Sequence, residues 1–457
     1  MTPPIEPADK DAVIAALMAR IETLVAHNAM LVARVAELEA KLGLPPKTPD
    51  NSSVPPSRGQ KPSGSSLPKP KREAHAGAHR PLHPNPTSKR DVLATACQHC
   101  RADVSGARQT ALHSYDRIEI PEIRPDVTRM TLFGGTCPCC RKTFKAEAPA
   151  GLEPGSPFGE NLRAFALYLR FTQAISLERL ARLFSDLIGM EISEGALVNI
   201  LRASRSAFSG AAGAIRQRLL SSTVLQSDET GARVGKRNWW LWTFHNGKDA
   251  CFRLRPSRGK AVVEEFLGKV RPAFWISDRY AGQAGFATQD HQLCLAHLLR
   301  DARFAIEAGD TVFAPGFEAL LKRACGIGRR RGELAASTLK AYRGDLDRRL
   351  DRLLRAEPIN PQGKTLRKAV YGIRNSLFVF VTNPDLPPTN NGSEQALRPC
   401  VVFRKVTNCF RSEWGAELYA DIRSVIETAR RHAVSAFDAI RLTLKGADFR
   451  KTASAIA

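Results

Sequence analysis

Five short runs between residues 223 and 278 decide the fold: TVLQSDET (223–230), NWWLWTFH (238–245), ACFRLRP (250–256), GKAVVEEFLGKV (259–270) and AFWISD (273–278). Four are rich in β-branched and aromatic residues and are short enough for strands. The remaining one, GKAVVEEFLGKV, has helical spacing. Three strands, a helix and a fourth strand open a ribonuclease-H-like α/β fold. In that topology the first and fourth strands are neighbours. Asp228 is read at the end of the first and Asp278 at the end of the fourth, so the two carboxylates meet at one end of the sheet. A hard divalent cation takes such oxygen ligands. Two ions about 4 Å apart activate an attacking oxygen and stabilise a leaving one in phosphodiester chemistry. A strand-end Asp is also a common turn residue, and that alternative stays open here.

A third carboxylate is needed, and Glu394 is the best candidate. It follows the turn Pro388-Thr389-Asn390-Asn391-Gly392-Ser393 and opens the helical run EQALRPCVVFRK. A Glu in a first helical turn equally suits a capping role. Spacing alone does not select it among the acids between 279 and 430. Asp278 and Glu394 lie 116 residues apart, and residues 296–385 read as a basic, all-helical insertion. Within it GIGRRR (326–331) offers Arg329, Arg330 and Arg331 as phosphate contacts, or as a solvated helix end. Arg398, Arg404, Lys405 and Arg411 follow Glu394 closely and are further DNA-binding candidates. Trp239, Trp240 and Trp242 read as core packing, with base stacking as the alternative. Cys251, Cys325, Cys400 and Cys409 lack metal-ligand spacing and read as buried thiols. No G-x-x-x-x-G-K loop occurs, so nucleotide hydrolysis is unsupported.

Upstream, Ile14, Leu17, Ile21, Leu24, Asn28, Leu31, Val35, Leu38 and Leu42 alternate at spacings of three and four. This is a heptad seam over residues 1–44, with Asn28 at an a position. It predicts a parallel two-stranded leucine-zipper coiled coil, with Arg34 reaching Glu39 of a partner. One helix of a hairpin packed on its own chain is the alternative. The helix stops at Gly43-Leu44-Pro45-Pro46. Residues 45–94 carry Pro, Ser, Lys, Arg and His with few large apolar residues, and read as a disordered basic linker. Residues 95–150 hold Cys97-Gln-His-Cys100 and Cys137-Pro-Cys-Cys140, two pairs separated by 36 residues. Four thiolates around one Zn²⁺ make a zinc ribbon, with the alternating run 107–133 as its strands. His99 and Cys139 lie inside the knuckles and are not read as ligands. Residues 151–220 are helical: LERLARLFSDLIGMEISEGALVNILRAS (177–204) has a helix-turn-helix outline, with Glu194 to Arg202 as second helix, or is a helical subdomain. Residues 221–430 form the catalytic domain and 431–457 a helical tail.

The 457 residues carry 68 Lys plus Arg against 45 Asp plus Glu, a formal charge of +23, while 43% of residues are hydrophobic. Such a chain folds around real cores and attracts polyanions, with nucleic acid foremost. No stretch of about 18 apolar residues is read, so no membrane span is expected. No secretory signal is evident, which predicts a reducing cytoplasm in which ten cysteines are metal ligands or thiols.

SDETGARVGKRNWWLW (227–242), ISDRYAG (276–282), HQLCLAHLLRD (291–301) and the run from Thr389 to Arg430 together resemble the transposases of the insertion sequence 66 family. The resemblance spans the chain, including the linker element Asn51-Ser52-Ser53-Val54-Pro55-Pro56-Ser57. It implies a DDE transposase with Asp228, Asp278 and Glu394 as catalytic triad. It implies Mg²⁺ (or Mn²⁺) on those residues and Zn²⁺ on Cys97, Cys100, Cys137 and Cys140. Its partners are element ends and target DNA, a homodimer or higher oligomer, and accessory proteins of the element, in a nucleoid-associated cytoplasmic setting. The family also carries a Cys-x-x-His element, here Cys294 and His297. A departure is the Arg-Tyr after Asp278. Two other readings share the features: a binding protein that no longer cuts DNA, and a nuclease or junction resolvase without strand transfer.

Overall fold

A computed structural model of the chain describes residues 7–41, 43–52 and 80–453. Most of the linker, residues 53–79, lies outside the described residues, as does Leu42 of the seam. The chain divides into two units: Met1–Gln60, Leu132–Arg182 and Ile192–Ala457 in one, Lys61–Thr131 and Leu183–Glu191 in the other.

The first unit begins with helix α1 (Pro7–Lys41). Its seam is uncovered: Ile14, Leu17, Ile21, Leu24, Leu31, Val35 and Leu38 are all exposed. The packing of this helix on its own chain, one of the two sequence alternatives, is therefore not observed. Arg34 meets Glu37 of the same helix at 2.5 Å rather than standing towards Glu39. Over Ala12–Glu39 the helix is long and apolar enough, by length and mean hydropathy, to cross a membrane. His27, Asn28 and Arg34 interrupt any continuous apolar run, and core helices of soluble proteins pass the same length and hydropathy test. Beyond Gly43, whose φ is +66°, the chain does not simply trail away. Asn51 is 2% exposed. Its side chain accepts from the Thr48 N–H at 2.7 Å and donates to the Pro46 carbonyl at 3.0 Å and to Glu307 at 2.5 Å. The start of the linker is thus anchored, because a buried amide finds partners for its oxygen and its nitrogen.

Two short strands, β1 (Gly134–Thr136) and β2 (Thr143–Lys145), form an antiparallel hairpin. The run 107–133 was expected to supply strands. Among the described residues it pairs with nothing in a ladder, and Leu112, Ile118, Ile120 and Val127 are exposed. Pro121 and Pro125 explain part of this, since each removes a ladder donor.

Helices α2 (Glu160–Phe171), α3 (Leu177–Ile188) and α4 (Glu194–Leu220) follow. Helix α4 does not end near Arg202, because no Gly-Pro breaker stands there. It continues to Leu220, burying Phe208, Ala212, Ile215 and Leu219. On its first half Arg202 lies over the Trp414 ring at 5.2 Å, so part of that face is already engaged.

The central sheet uses β3 (Val224–Val234), β4 (Arg237–His245), β5 (Ala250–Arg255), β6 (Phe274–Ser277) and β7 (Asp290–Leu293), in the order β5-β4-β3-β6-β7. The first three pair antiparallel; β6 and β7 run parallel to β3. Helix α5 (Lys260–Leu267) lies between β5 and β6 in the chain and stacks Phe266 on Phe244, with ring centroids 3.8 Å apart. This mixed α/β sheet is compatible with a ribonuclease-H-like core. Trp242 and Phe244 are fully buried, as expected where helices cover a sheet.

Five helices occupy the stretch read as an insertion: α6 (Leu295–Glu307), α7 (Ala314–Arg330), α8 (Ala336–Leu354), α9 (Pro361–Ile373) and α10 (Val379–Thr382). They enclose a second apolar core around Phe313, Phe317, Leu321, Leu346 and Phe380. Helices α11 (Asn391–Thr407) and α12 (Glu413–Arg431) return to the sheet, α11 against β3 and α12 against β5. Helices α13 (Ala436–Leu444) and α14 (Arg450–Ala453) close the described chain.

Candidate active site

The parallel pairing of β3 and β6 matches Val224 with Phe274, Leu225 with Trp275 and Gln226 with Ile276. Carried two residues further, the same register sets Asp228 opposite Asp278. The sequence placed Asp228 at a strand end. In fact β3 continues to Val234, paired with β4 beyond Gln226 and bridged to Phe410 at its far end. Asp228 therefore stands where the parallel neighbour stops, which opens one side of the strand. Asp278 follows the last residue of β6, and its Oδ1 accepts the Tyr280 N–H at 2.9 Å. Glu394 sits in the first turn of α11. His297 and Arg300 of α6 approach it at 3.7 and 3.9 Å.

Electrostatics ties these acids together. Burial pushes the Asp228 carboxyl well above the usual carboxylate range, and the charges of Glu229, Asp278 and Glu394 push it further. Three like charges acting on one buried carboxylate form a field that a divalent cation neutralises, and all the donors are hard oxygens. The residues present thus fit Mg²⁺ or Mn²⁺. Among the described residues, no three His, Cys, Asp or Glu side chains stand close enough to form a ready metal cage. The fit is therefore one of charge and donor type.

Glu229 has a different role from its neighbour. Its side chain is 1% exposed and meets the Arg258 guanidinium at 2.7 Å. Gln283 donates to its other oxygen at 2.5 Å. Arg258 lies over both Trp240, at 4.8 Å, and Tyr280, at 4.0 Å. Sequence reasoning passed over Arg258 and Gln283. The only signals were the aromatic run beside the site and the Arg-Tyr after Asp278. Trp242 packs in the core and Trp239 is nearly buried, while Trp240 serves this cation.

The seven basic candidates separate into two kinds. The Arg331 guanidinium donates to the carbonyls of Phe380, Asn383, Leu386 and Pro384. Arg404 donates to the Gly231 carbonyl and to Thr230. Both donate within their own fold, which leaves fewer of their donors for a phosphate. Arg329, Arg330, Arg398, Lys405 and Arg411 are exposed. Arg329 and Arg330 line a cavity of about 340 Å³ with Arg323 and Tyr342.

The four ribbon cysteines fall in two places: Cys97 and Cys100 in one unit, Cys137 and Cys140 in the other. Each pair closes the same turn. The Arg101 N–H reaches the Cys97 carbonyl and the Arg141 N–H reaches the Cys137 carbonyl, each at 2.9 Å. Hydrogen bonds from the backbone of Cys100 and His99 lower the Cys97 pKa, and those from Cys140 and Cys139 lower that of Cys137. Each half has the donor chemistry of a metal-binding knuckle. Of the other cysteines, Cys251, Cys294 and Cys400 are buried and Cys325 and Cys409 partly so.

No curated protein matches the chain. A family described as Transposase IS66 family matches residues 155–418. That match begins just before α2, takes in the whole sheet, the helical insertion and Glu394, and covers more than half of the sequence; the chain belongs to the IS66 family of transposases.

Proposed function

We propose that the protein is a DDE transposase that cuts DNA at the ends of its element and joins them to target DNA. What supports this reading is the parallel ladder of β3 on β6, which stops two residues before both Asp228 and Asp278, together with the charges of Asp278 and Glu394 acting on the buried Asp228 carboxylate. Asp228, Asp278 and Glu394 would hold Mg²⁺ or Mn²⁺. When bound, such ions lower the cost of charge on the attacking and leaving oxygens. Water then cleaves the phosphodiester at the element's end and frees a 3′-hydroxyl. That hydroxyl attacks a target phosphodiester, forming the new bond as a target 3′-oxygen leaves. Neither step requires an enzyme nucleophile. His297 and Arg300 of α6, 3.7 and 3.9 Å from Glu394, would orient its carboxylate.

The exposed cations Arg329, Arg330, Arg398, Lys405 and Arg411 would hold phosphates, giving salt-dependent binding. In the same reading the exposed α1 seam pairs with a second copy, the two cysteine knuckles bind Zn²⁺, and the protein acts in the cytoplasm on the nucleoid. Incubating the purified protein with Mg²⁺, a DNA carrying the element's ends and a target plasmid tests the reading. Joined product is expected. Cleavage without joining would mark a nuclease, and binding without either would mark a DNA-binding protein.

A further inference from the structure

Three buried residues immediately precede the three carboxylates: Ser227, Ser277 and Ser393, each 0% exposed. All three lead to one residue, Asn390. The Asn390 Nδ2 donates to the Ser227 carbonyl at 2.8 Å. Its Oδ1 accepts the Ser393 hydroxyl at 2.7 Å. Its backbone N–H donates to the Cys294 Sγ at 3.1 Å, and the Cys294 N–H donates in turn to the Ser277 carbonyl at 2.9 Å. Asn390 is itself 0% exposed. The Ser393 hydroxyl also stands 2.9 Å from the Nε2 of buried His245, whose Nδ1 is 3.2 Å from Arg431. The packing is close: a Cβ at Gly392 would lie 3.0 Å from the His245 ring.

We propose that Asn390 is a positioning residue that sets the relative placement of Asp228, Asp278 and Glu394. Its side chain and N–H clamp the segments bearing all three, so that their carboxylates are presented together to a divalent cation. This rests on the reading of those three acids as the metal-binding set. Helix capping does not account for the contacts. Asn390 precedes α11, yet its side chain makes no cap bond to that helix's backbone. It spends its donor on β3, 163 residues away in sequence. Within a buried polar network each satisfied group fixes the next. Outer partners of metal ligands commonly govern affinity by ten- to a hundredfold.

The test uses the full chain and Mn²⁺ alone as probe, with bound ion followed by the loss of the free-Mn²⁺ resonance signal. Asn390→Ala is expected to raise the Mn²⁺ midpoint roughly tenfold. The metal concentration for half-maximal cleavage should rise in parallel, and the rate at saturating metal should recover towards that of the parent. Val425→Ala, a core truncation in α12, should lower the melting temperature without moving either midpoint. An unchanged midpoint in folded Asn390→Ala overturns the proposal. Should that variant fail to fold, Ser393→Ala removes one hydroxyl from the same hub. A shift of about threefold is then expected, and no shift overturns the proposal equally. Asp228→Asn separates the underlying reading: if it binds Mn²⁺ as the parent does, the metal-binding set itself is wrong.

Discussion

Glu229 and Arg258 stand 2.7 Å apart beside Asp228, the carboxylate 1% exposed and the guanidinium 40% exposed at the side chain. Adjacency to Asp228 along the strand makes Glu229 look like a spectator whose neutralisation costs little. The pairing says otherwise. Removing one partner of a largely buried ion pair leaves the other without its counter-charge, while partial exposure of Arg258 tempers the effect. Glu229→Gln and Arg258→Gln should each destabilise the fold by about 1–3 kcal/mol. Urea melts of both singles and the double should show coupling of about 1 kcal/mol or more. Additive effects would mean that the pair contributes nothing of its own.

The triad makes the sharpest forecast. Asp228→Asn, Asp278→Asn and Glu394→Gln should each lower end cleavage and strand transfer by about a hundredfold or more. Binding to element ends in a gel-shift assay should persist, since affinity comes from cations on phosphate. The suitable control is Asp290, exposed at the start of β7; Asp290→Asn should transfer strands normally. Near-normal activity in Glu394→Gln would point to another acid. Glu417 is a poor substitute, because it pairs with Arg205 at 3.5 Å.

Acidity should report on the same group. The folded Asp228 carboxyl titrates above its ordinary range. The native state therefore holds that proton more tightly, and stability falls as pH rises from the ordinary carboxylate range to the raised value. In EDTA at neutral pH, Asp228→Asn should melt above the parent, by about 2–4 °C for each kcal/mol of relieved repulsion. Below the ordinary carboxylate range that advantage should vanish. Added Mg²⁺ should raise the melting temperature of the parent and not of the variant. A difference that ignores both pH and Mg²⁺ would rule this account out.

For the ribbon, elemental analysis of freshly purified protein should find about one Zn²⁺ per chain. Cys97→Ser or Cys140→Ser should release it, while the main thermal transition of the sheet domain stays in place. Protein isolated without zinc would end that assignment.

The uncovered α1 seam should make self-association depend on residues 1–41. Their deletion should reduce the sedimentation coefficient to that of a monomer, and Asn28→Ile should tighten association while loosening its preference for two strands. The same oligomer with and without α1 excludes the zipper. Recovery of full-length protein with membranes, lost on the same deletion, would assign the helix to a bilayer instead.

Much of this was legible because it is local or periodic. The heptads of α1 and the apolar runs of β3 to β6 are repeats that a chain displays in one dimension. Given the topology, the neighbourly relation of Asp228 and Asp278 follows from strand order. What escaped depends on distant partners. Asn390 reads as a turn residue until β3 and Cys294 are beside it. That Arg331 and Arg404 also donate to carbonyls more than forty residues away could not be read from the local sequence. The alternation of 107–133 suggested strands, yet a strand exists only where a neighbour accepts its hydrogen bonds. Glu394 was separable from other acids only by likeness to a family, since a catalytic Glu and a capping Glu have the same local signature.

The anchoring of Asn51 on Glu307 changes what α1 is attached to. Nine residues lie between Lys41, the end of the helix, and this anchor at Asn51, a span of at most about 35 Å. Two copies joined through α1 would be yoked rather than leashed: each sheet domain hangs within a short, bounded radius of the common axis. The separation of two DNA ends engaged at once would then be limited by this strap, and an element whose ends could not be brought within that radius would not be processed in pairs. Loosening the strap at Asn51, with every carboxylate untouched, would widen the permitted separation and relax the demand that both ends be present.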